Sequence, residues 1–162
     1  MQDMLVNLLD LPDSRPLYEE LKTQGVVIRR ALAPDRKLAC DFVEQSFGVC
    51  AVGEAEAAFA RKPVSLFVAT DHDQLVGFAC YEATAPDFFG PTAVAESQRG
   101  RGVGKALLLR SLEAMRDELG YVYAVIGGVG PVAFYEKTVG ARLIPGSDPG
   151  VYRDFLTPLQ TH

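Results

Sequence analysis

The chain has 162 residues, 48% of them hydrophobic and 23% charged, with a net charge of −5. That length fits one domain, here taken as residues 1–162, with a core of its own, and the balance is that of an ordinary globular protein. An acidic chain with no basic face is not built to coat nucleic acid, and no run of about 18 apolar residues offers a membrane span.

The N-terminal stretch "MQDMLVNLLDLPDSRP" is acidic where a signal peptide is basic, and Pro12 breaks its apolar run, so a cytoplasmic location is expected. Residues 1–24 read as a helical lead-in, with Ser14 as a candidate N-cap and Gly25 as a stop. "VVIRRAL" (26–32) is β-branched and predicts a strand. A helix follows over 33–48, with Pro34 near its start, Gly48 at its end and Leu38, Phe42, Val43 and Phe47 on one side. A second short helix is expected over 53–63. "VSLFVAT" (64–70) and "QLVGFACYEA" (74–83), joined by "DHD", predict a hairpin.

"FFGPTAVA" (88–95) is a third strand-like run, and Gly90 and Pro91 inside it predict an interruption of the ladder. Val103, Leu107, Leu108, Leu112, Met115 and Leu119 then follow helical spacing up to Gly120. "YVYAVIGG" (121–128) predicts a buried strand, and "PVAFYEKTVG" (131–140) a short helix from Pro131 to Gly140. "ARLIP" and "VYRDFL", flanking "GSDPG", predict a closing hairpin. The order of elements is that of an α/β or α+β protein with a mixed sheet.

Cys40, Cys50 and Cys80 have no metal-ligand spacing and are expected as reduced, mostly buried thiols. His72 lies in a polar turn and His162 at the C-terminus, so neither a zinc site nor a His-based triad is expected.

"QRGRGVGKAL" (98–107) carries what chemistry the sequence declares. Glycine inside a helix costs about 1 kcal/mol relative to alanine, yet a strong helix begins here. Arg99, Arg101 and Lys105 also crowd like charges at the positive end of its dipole, which an anion on the free amides would reverse. The P-loop pattern fails, because Arg99 stands at its first glycine and Ala106 follows Lys105. The dinucleotide fingerprint fails too, because Lys105 stands at its third glycine. A plain helix start with solvated charges remains open at this point.

The pattern R/Q-x-x-G-x-G/A does fit, as Arg99-Gly100-Arg101-Gly102-Val103-Gly104, and "AFYEKTVGARLI" follows about 30 residues on. With these two motifs the chain resembles the GCN5-related N-acetyltransferase (GNAT) superfamily, over about residues 25–156. The resemblance implies a mixed, mostly antiparallel twisted sheet of six to seven strands flanked by four to five helices. It implies acetyl-CoA as acetyl donor, no metal, and transfer to a primary amine of a small molecule by direct attack in a ternary complex. Pyrophosphate would lie on the amides of Gly100, Arg101, Gly102, Val103, Gly104 and Lys105, beside Arg99. Pantetheine and the thioester would meet the backbone of Thr92, Val94 and Ala95, in a cleft where strand 88–95 splays from strand 121–128. The Val94 N–H would be the oxyanion donor.

Tyr135 would be the general acid that protonates the departing thiolate, with Phe134 packing beside it or covering the coenzyme. Many members carry an asparagine seven residues before this tyrosine; here Gly128 stands there and would substitute close backbone approach. The candidate base is Glu82, with Glu96, Asp87 or a water chain as alternatives. Phe47, Phe88, Phe89 and Tyr152 are candidate acceptor-site residues. Their stretches hold few acidic groups, which favours an amino acid, amino sugar or related metabolite over a polyamine. No nucleic-acid or membrane partner is expected, and a homodimer is left open. The alternative function is a catalytically inactive acetyl-CoA-binding sensor or regulatory module.

Overall fold

The computed structural model describes residues 1–159; His162 lies outside them. One seven-stranded sheet runs β2-β3-β4-β5-β6-β1-β7. Its strands are β1 (Met4–Asn7), β2 (Val26–Arg30), β3 (Leu66–Asp71), β4 (Gln74–Tyr81), β5 (Phe88–Val94), β6 (Tyr123–Ile126) and β7 (Arg142–Leu143). Every neighbouring pair is antiparallel except β5 and β6, which are parallel. Five helices accompany the sheet: α1 (Arg15–Thr23), α2 (Arg36–Phe47), α3 (Val49–Ala60), α4 (Val103–Asp117) and α5 (Val132–Val139).

Alternation along β3 divides the core between the two faces of the sheet. Phe67 and Ala69 join Leu107, Leu108 and Leu112 of α4, with Tyr81, Phe89, Ala124 and Ile126. Leu66 and Val68 point the other way, to Ala39 and Val43 of α2 and to Ala55, Ala58 and Phe59 of α3, with Phe78 and Cys80. Helix α4 is buried along most of its length, so tertiary packing outweighs its glycine-rich start.

Five expectations change. Residues 1–24 are not wholly helical: Met4–Asn7 form a strand between β6 and β7, with Met4 and Val6 fully buried and Leu5 exposed. Its partners lie near the other end of the chain, so four residues of alternation could not announce it. The Ser14 hydroxyl makes no cap to α1 and donates instead to Glu113 on α4. Helix α3 begins directly after Gly48, whose φ of 90° only turns the chain. The cost of Gly53 inside α3 is offset by the burial of Ala55, Ala58 and Phe59.

The closing hairpin does not form. Strand β7 is two residues long and pairs with β1, while Gly150–Tyr152 make a 3-10 turn. Cys50 is exposed rather than buried, whereas Cys80 is buried and its thiol is pushed well up by desolvation.

Replacing the fully buried Met4 by alanine opens a cavity beside β6. Met4→Ala is expected to destabilise the fold by about 2–5 kcal/mol in urea denaturation. A loss below ~0.5 kcal/mol would show that the N-terminal strand is not part of the core.

Candidate active site

Strands β5 and β6 pair only at Phe88↔Val125 and Phe89↔Ile126. The last bond between them runs from the Gly127 N–H to the Phe89 carbonyl at 3.3 Å. Just there β5 carries Gly90, at φ 119°, and Pro91, which has no N–H to donate. Beyond this point β5 stays with β4, and its other side has no strand on it.

The Ala95 N–H donates to Val76 O at 2.8 Å. Antiparallel alternation therefore turns the N–H groups of Val94 and Thr92 the other way, towards the gap. The Thr92 hydroxyl is tied to Phe78 O at 2.9 Å. Ala95 differs from expectation: its N–H is in the ladder and its carbonyl accepts from Gln98 at 2.9 Å. No free N–H remains at Ala95 for a ligand.

The glycine stretch lies past the open end of β5. Gly100 and Gly102 have φ of 81° and 88°, in the left-handed region that favours glycine. A Cβ at Gly102 would sit 2.9 Å from Leu17 Cδ1. The first helical bond here is Ala106 N–H to Gly102 O at 2.9 Å. Among the described residues the amides of Gly100 to Lys105 donate to no other group, the usual state of a helix N-terminus. Arg99 and Lys105 are exposed without ion-pair partners among the described residues. Arg101 is not: its guanidinium pairs with Asp71 at 2.9 Å and also bonds Gln98. Arg101 and then His72 hold the Asp71 carboxyl below the usual carboxylate range. The crowding of like charge is thus relieved in part by Asp71, which propensity along the chain did not reveal.

A cleft of about 350 Å³ opens where β5 and β6 part. Tyr135 lines it from α5, 7% exposed, and burial pushes its phenol above the ordinary value. The Tyr135 hydroxyl makes no hydrogen bond among the described residues, and burial is the cause of its shift. Phe134 sits edge-on to Tyr135 with ring centroids 5.0 Å apart. Phe47, Phe89 and Tyr152 line the same cleft. Phe88 does not; its ring lies against Gly127, 2.8 Å from where a Cβ would stand.

Gly128 is not an open stretch of backbone. Its N–H donates to Asp3 Oδ1 at 2.8 Å, and a Cβ there would meet the Tyr152 ring at 3.3 Å. Tyr152 takes the space that a side chain at Gly127 or Gly128 would fill. Burial first, then Asp3 and Glu54, push its phenol up to about 12.

The acidic candidates separate. Glu82, at φ 57°, accepts the Asp87 N–H at 2.5 Å and lies 3.7 Å from Arg61. It pins the loop between β4 and β5 and does not line the cleft. Asp87 is beside it, with one buried carboxylate oxygen unpaired, and its carboxyl is pushed up to about 6 by desolvation and then by Glu82. Glu96 is exposed in a 3-10 turn outside the cleft lining. The carboxylate in the cleft is Glu54 of α3, which accepts from the Thr84 hydroxyl. Glu54 was not among the candidates read from the sequence, where its spacing carries no motif.

Among the described residues no three His, Cys, Asp or Glu side chains gather where they could hold a metal ion. Among them, too, no helix is long and apolar enough to cross a membrane.

The sheet is thus parted between its two parallel strands, with unbonded helix-start amides among the described residues beyond the gap and Tyr135 on the wall of the cleft. The model of the acetyltransferase (GNAT) family matches residues 30–141, and the chain belongs to that family. The GCN5-related glucosamine N-acetyltransferase region of a fungal multi-domain β-N-acetylglucosaminidase has the same fold, with a TM-score of 0.70 at 12% identity. The match covers 88% of this chain and 19% of that one. A GCN5-related N-acetyltransferase from Sphaerobacter thermophilus has a TM-score of 0.65 at 18% identity, covering 88% of this chain and 48% of that one. One from Kribbella flavida has a TM-score of 0.56 at 14% identity, covering 88% and 53%. This chain therefore spans about half the length of the last two and a fifth of the first. No curated protein matches it significantly.

Gly102→Ala places a Cβ at φ 88° and against Leu17, so a loss of about 1–3 kcal/mol is expected in urea denaturation. Gly104→Ala, at an ordinary φ and 3.6 Å from Val94 Cγ2, is the contrast and should not destabilise. Asp87 has its folded value raised, so its contribution to stability is full at low pH and is lost as pH rises through about 6. Asp87→Asn should therefore raise Tm at pH ~8 and leave it unchanged at pH ~4; an equal shift at both would refute the assignment.

Proposed function

We propose that this chain is an acetyl-CoA-dependent N-acetyltransferase acting on the primary amine of a small molecule, by direct attack in a ternary complex. The observation that carries this reading is the parting of β5 from β6 beside a buried, protonated Tyr135. Family membership supports acetyl transfer in general. Residues 25–156 would form the catalytic core, within a single domain of 1–162.

The residues present fit the coenzyme. Amides from Gly100 to Lys105 are free, Gly100 has nothing within 4 Å of a Cβ position, and Arg99 and Lys105 stand exposed beside them. These groups would hold pyrophosphate by backbone donation and by the helix dipole. Val94 and Thr92 would receive the pantetheine arm on the open side of β5. Acetyl-CoA, when bound, supplies the acetyl group as an activated thioester.

The rest of the chemistry falls to the chain. The Val94 N–H, aimed into the gap, is a fixed dipole for negative charge developing on the carbonyl oxygen. Tyr135 is a phenol, protonated at neutral pH with or without the upward push of burial, so it can protonate the leaving thiolate. No nucleophilic side chain is needed, because the acceptor amine is itself the nucleophile.

Acetyl-CoA is expected to raise Tm by mass action, whereas ATP and NAD should not. Tyr135→Phe should lower kcat by ~10²-fold with little change in acetyl-CoA affinity. No melting shift with millimolar acetyl-CoA would overturn the function; an unchanged kcat would overturn the role of Tyr135.

A further inference from the structure

Glu54 is the carboxylate that lines the cleft, and it enters by an unexpected route. It stands on α3, two turns from the Phe47 end of α2, and the Thr84 hydroxyl fixes its orientation from the loop after β4. It shares the cleft chiefly with aromatic side chains and glycine backbone, Phe47, Phe89, Tyr135 and Tyr152 with Gly90 and Gly127, beside the hydroxyl-bearing Thr84 and Thr92. Glu54 and Asp3 both act on the Tyr152 phenol, which brings Glu54 to the same wall as Tyr152. No lysine, arginine or histidine lines the cleft among the described residues. The Met1 ammonium at its edge is already paired with Asp148 at 2.9 Å.

A cleft with one carboxylate, apolar walls and no cationic side chain discriminates by charge. It can satisfy one ammonium. Among the described residues it offers a substrate carboxylate no unpaired cation, so the desolvation of that charge would be offset only by neutral donors. It offers no second anion to a diamine. We infer that Glu54, oriented by Thr84, binds the acceptor's ammonium and takes its proton, and that the acceptor is a monoamine with an aromatic or apolar body and no acidic group. This narrows the acceptor away from amino acids, and it rests on the proposed acetyl transfer.

The step balances. Glu54 takes one proton from the ammonium and leaves a neutral amine. The nitrogen lone pair forms the C–N bond at the thioester carbonyl carbon, and the C–S bonding pair leaves on sulfur. Tyr135 gives its proton to that sulfur, and the second proton shed by the nitrogen as the amide forms restores the phenol. Glu54 then releases its proton to solvent, one per turnover.

The test pairs 2-phenylethylamine with L-phenylalanine, the same body with and without a carboxylate, and adds 1,4-diaminobutane. The full chain is assayed by thiol release from acetyl-CoA. The expected kcat/KM for 2-phenylethylamine exceeds that of either other amine by at least ~10²-fold, the scale on which an unpaired buried polar group discriminates. Glu54→Gln should lower that kcat/KM by ~10²-fold and weaken calorimetric binding of 2-phenylethylamine at least ~10-fold. Its melting shift with acetyl-CoA should equal that of the wild type. An intact acetyl-CoA shift with L-phenylalanine or the diamine preferred, with none of the three acetylated, or with Glu54→Gln as active as wild type, overturns this inference alone. Loss of the acetyl-CoA shift in the wild type overturns the proposed function instead.

Discussion

Strands β5 and β6 hold one another for two residues and then part, and the site is organised by that short pairing. Here Gly90 and Pro91 stop the ladder on one strand, and Gly127 and Gly128 turn the other away. What remains on the open side of β5 is a row of backbone groups with no partner strand. Unpaired backbone donors are costly where buried, so such a row is stable only beside water or a ligand. The cleft and the outward amides of Val94 and Thr92 follow from that one interruption.

The elements around the gap serve to keep it open. Tyr152 lies across Gly127 and Gly128, where any side chain would displace it, and Asp3 holds the Gly128 amide. Strand β1 ties β6 to the sheet from its far side. On the other wall Thr92 is hooked to β4 through its hydroxyl. Each strand at the gap is therefore restrained from the side that faces away from it. Tyr135 on α5 lines the cleft, and its burial pushes the phenol above the ordinary value.

Electrostatics divides the molecule between its two ends. At the glycine stretch Arg101 is drawn to Asp71, while among the described residues Arg99 and Lys105 stay without ion-pair partners beside unbonded amides. In the cleft Glu54 is the one carboxylate among the described residues, beside mostly aromatic side chains and backbone. Glu82 and Asp87 hold the loop between β4 and β5 instead, with Asp87 partly desolvated next to a like charge. Acidic residues close in sequence thus take unlike roles, because burial and neighbours, not residue type, set what a carboxylate can do.

Much of this was legible along the chain. Helical spacing marked α4 and the extent of α2, though Leu38 and Phe47 of the side expected for α2 are exposed and Ala39 and Val43 are buried. Strand-like runs marked β2 to β6, and the glycine–arginine loop with the later tyrosine carried the family. These are signals of short range, written in the period of one element or the order of two motifs. The rest needed partners far apart. The N-terminal strand exists because β6 and β7 border it, and Gly128 is closed by Asp3, 125 residues away. The ladder took up Ala95, and Asp71 took up Arg101. Glu54 became a cleft residue only when α3 packed beneath β4 and met Thr84. Local periodicity determines which segments form and which face they bury; which polar groups remain free for chemistry is decided by tertiary contacts, because a donor or carboxylate is available only if no distant partner has claimed it.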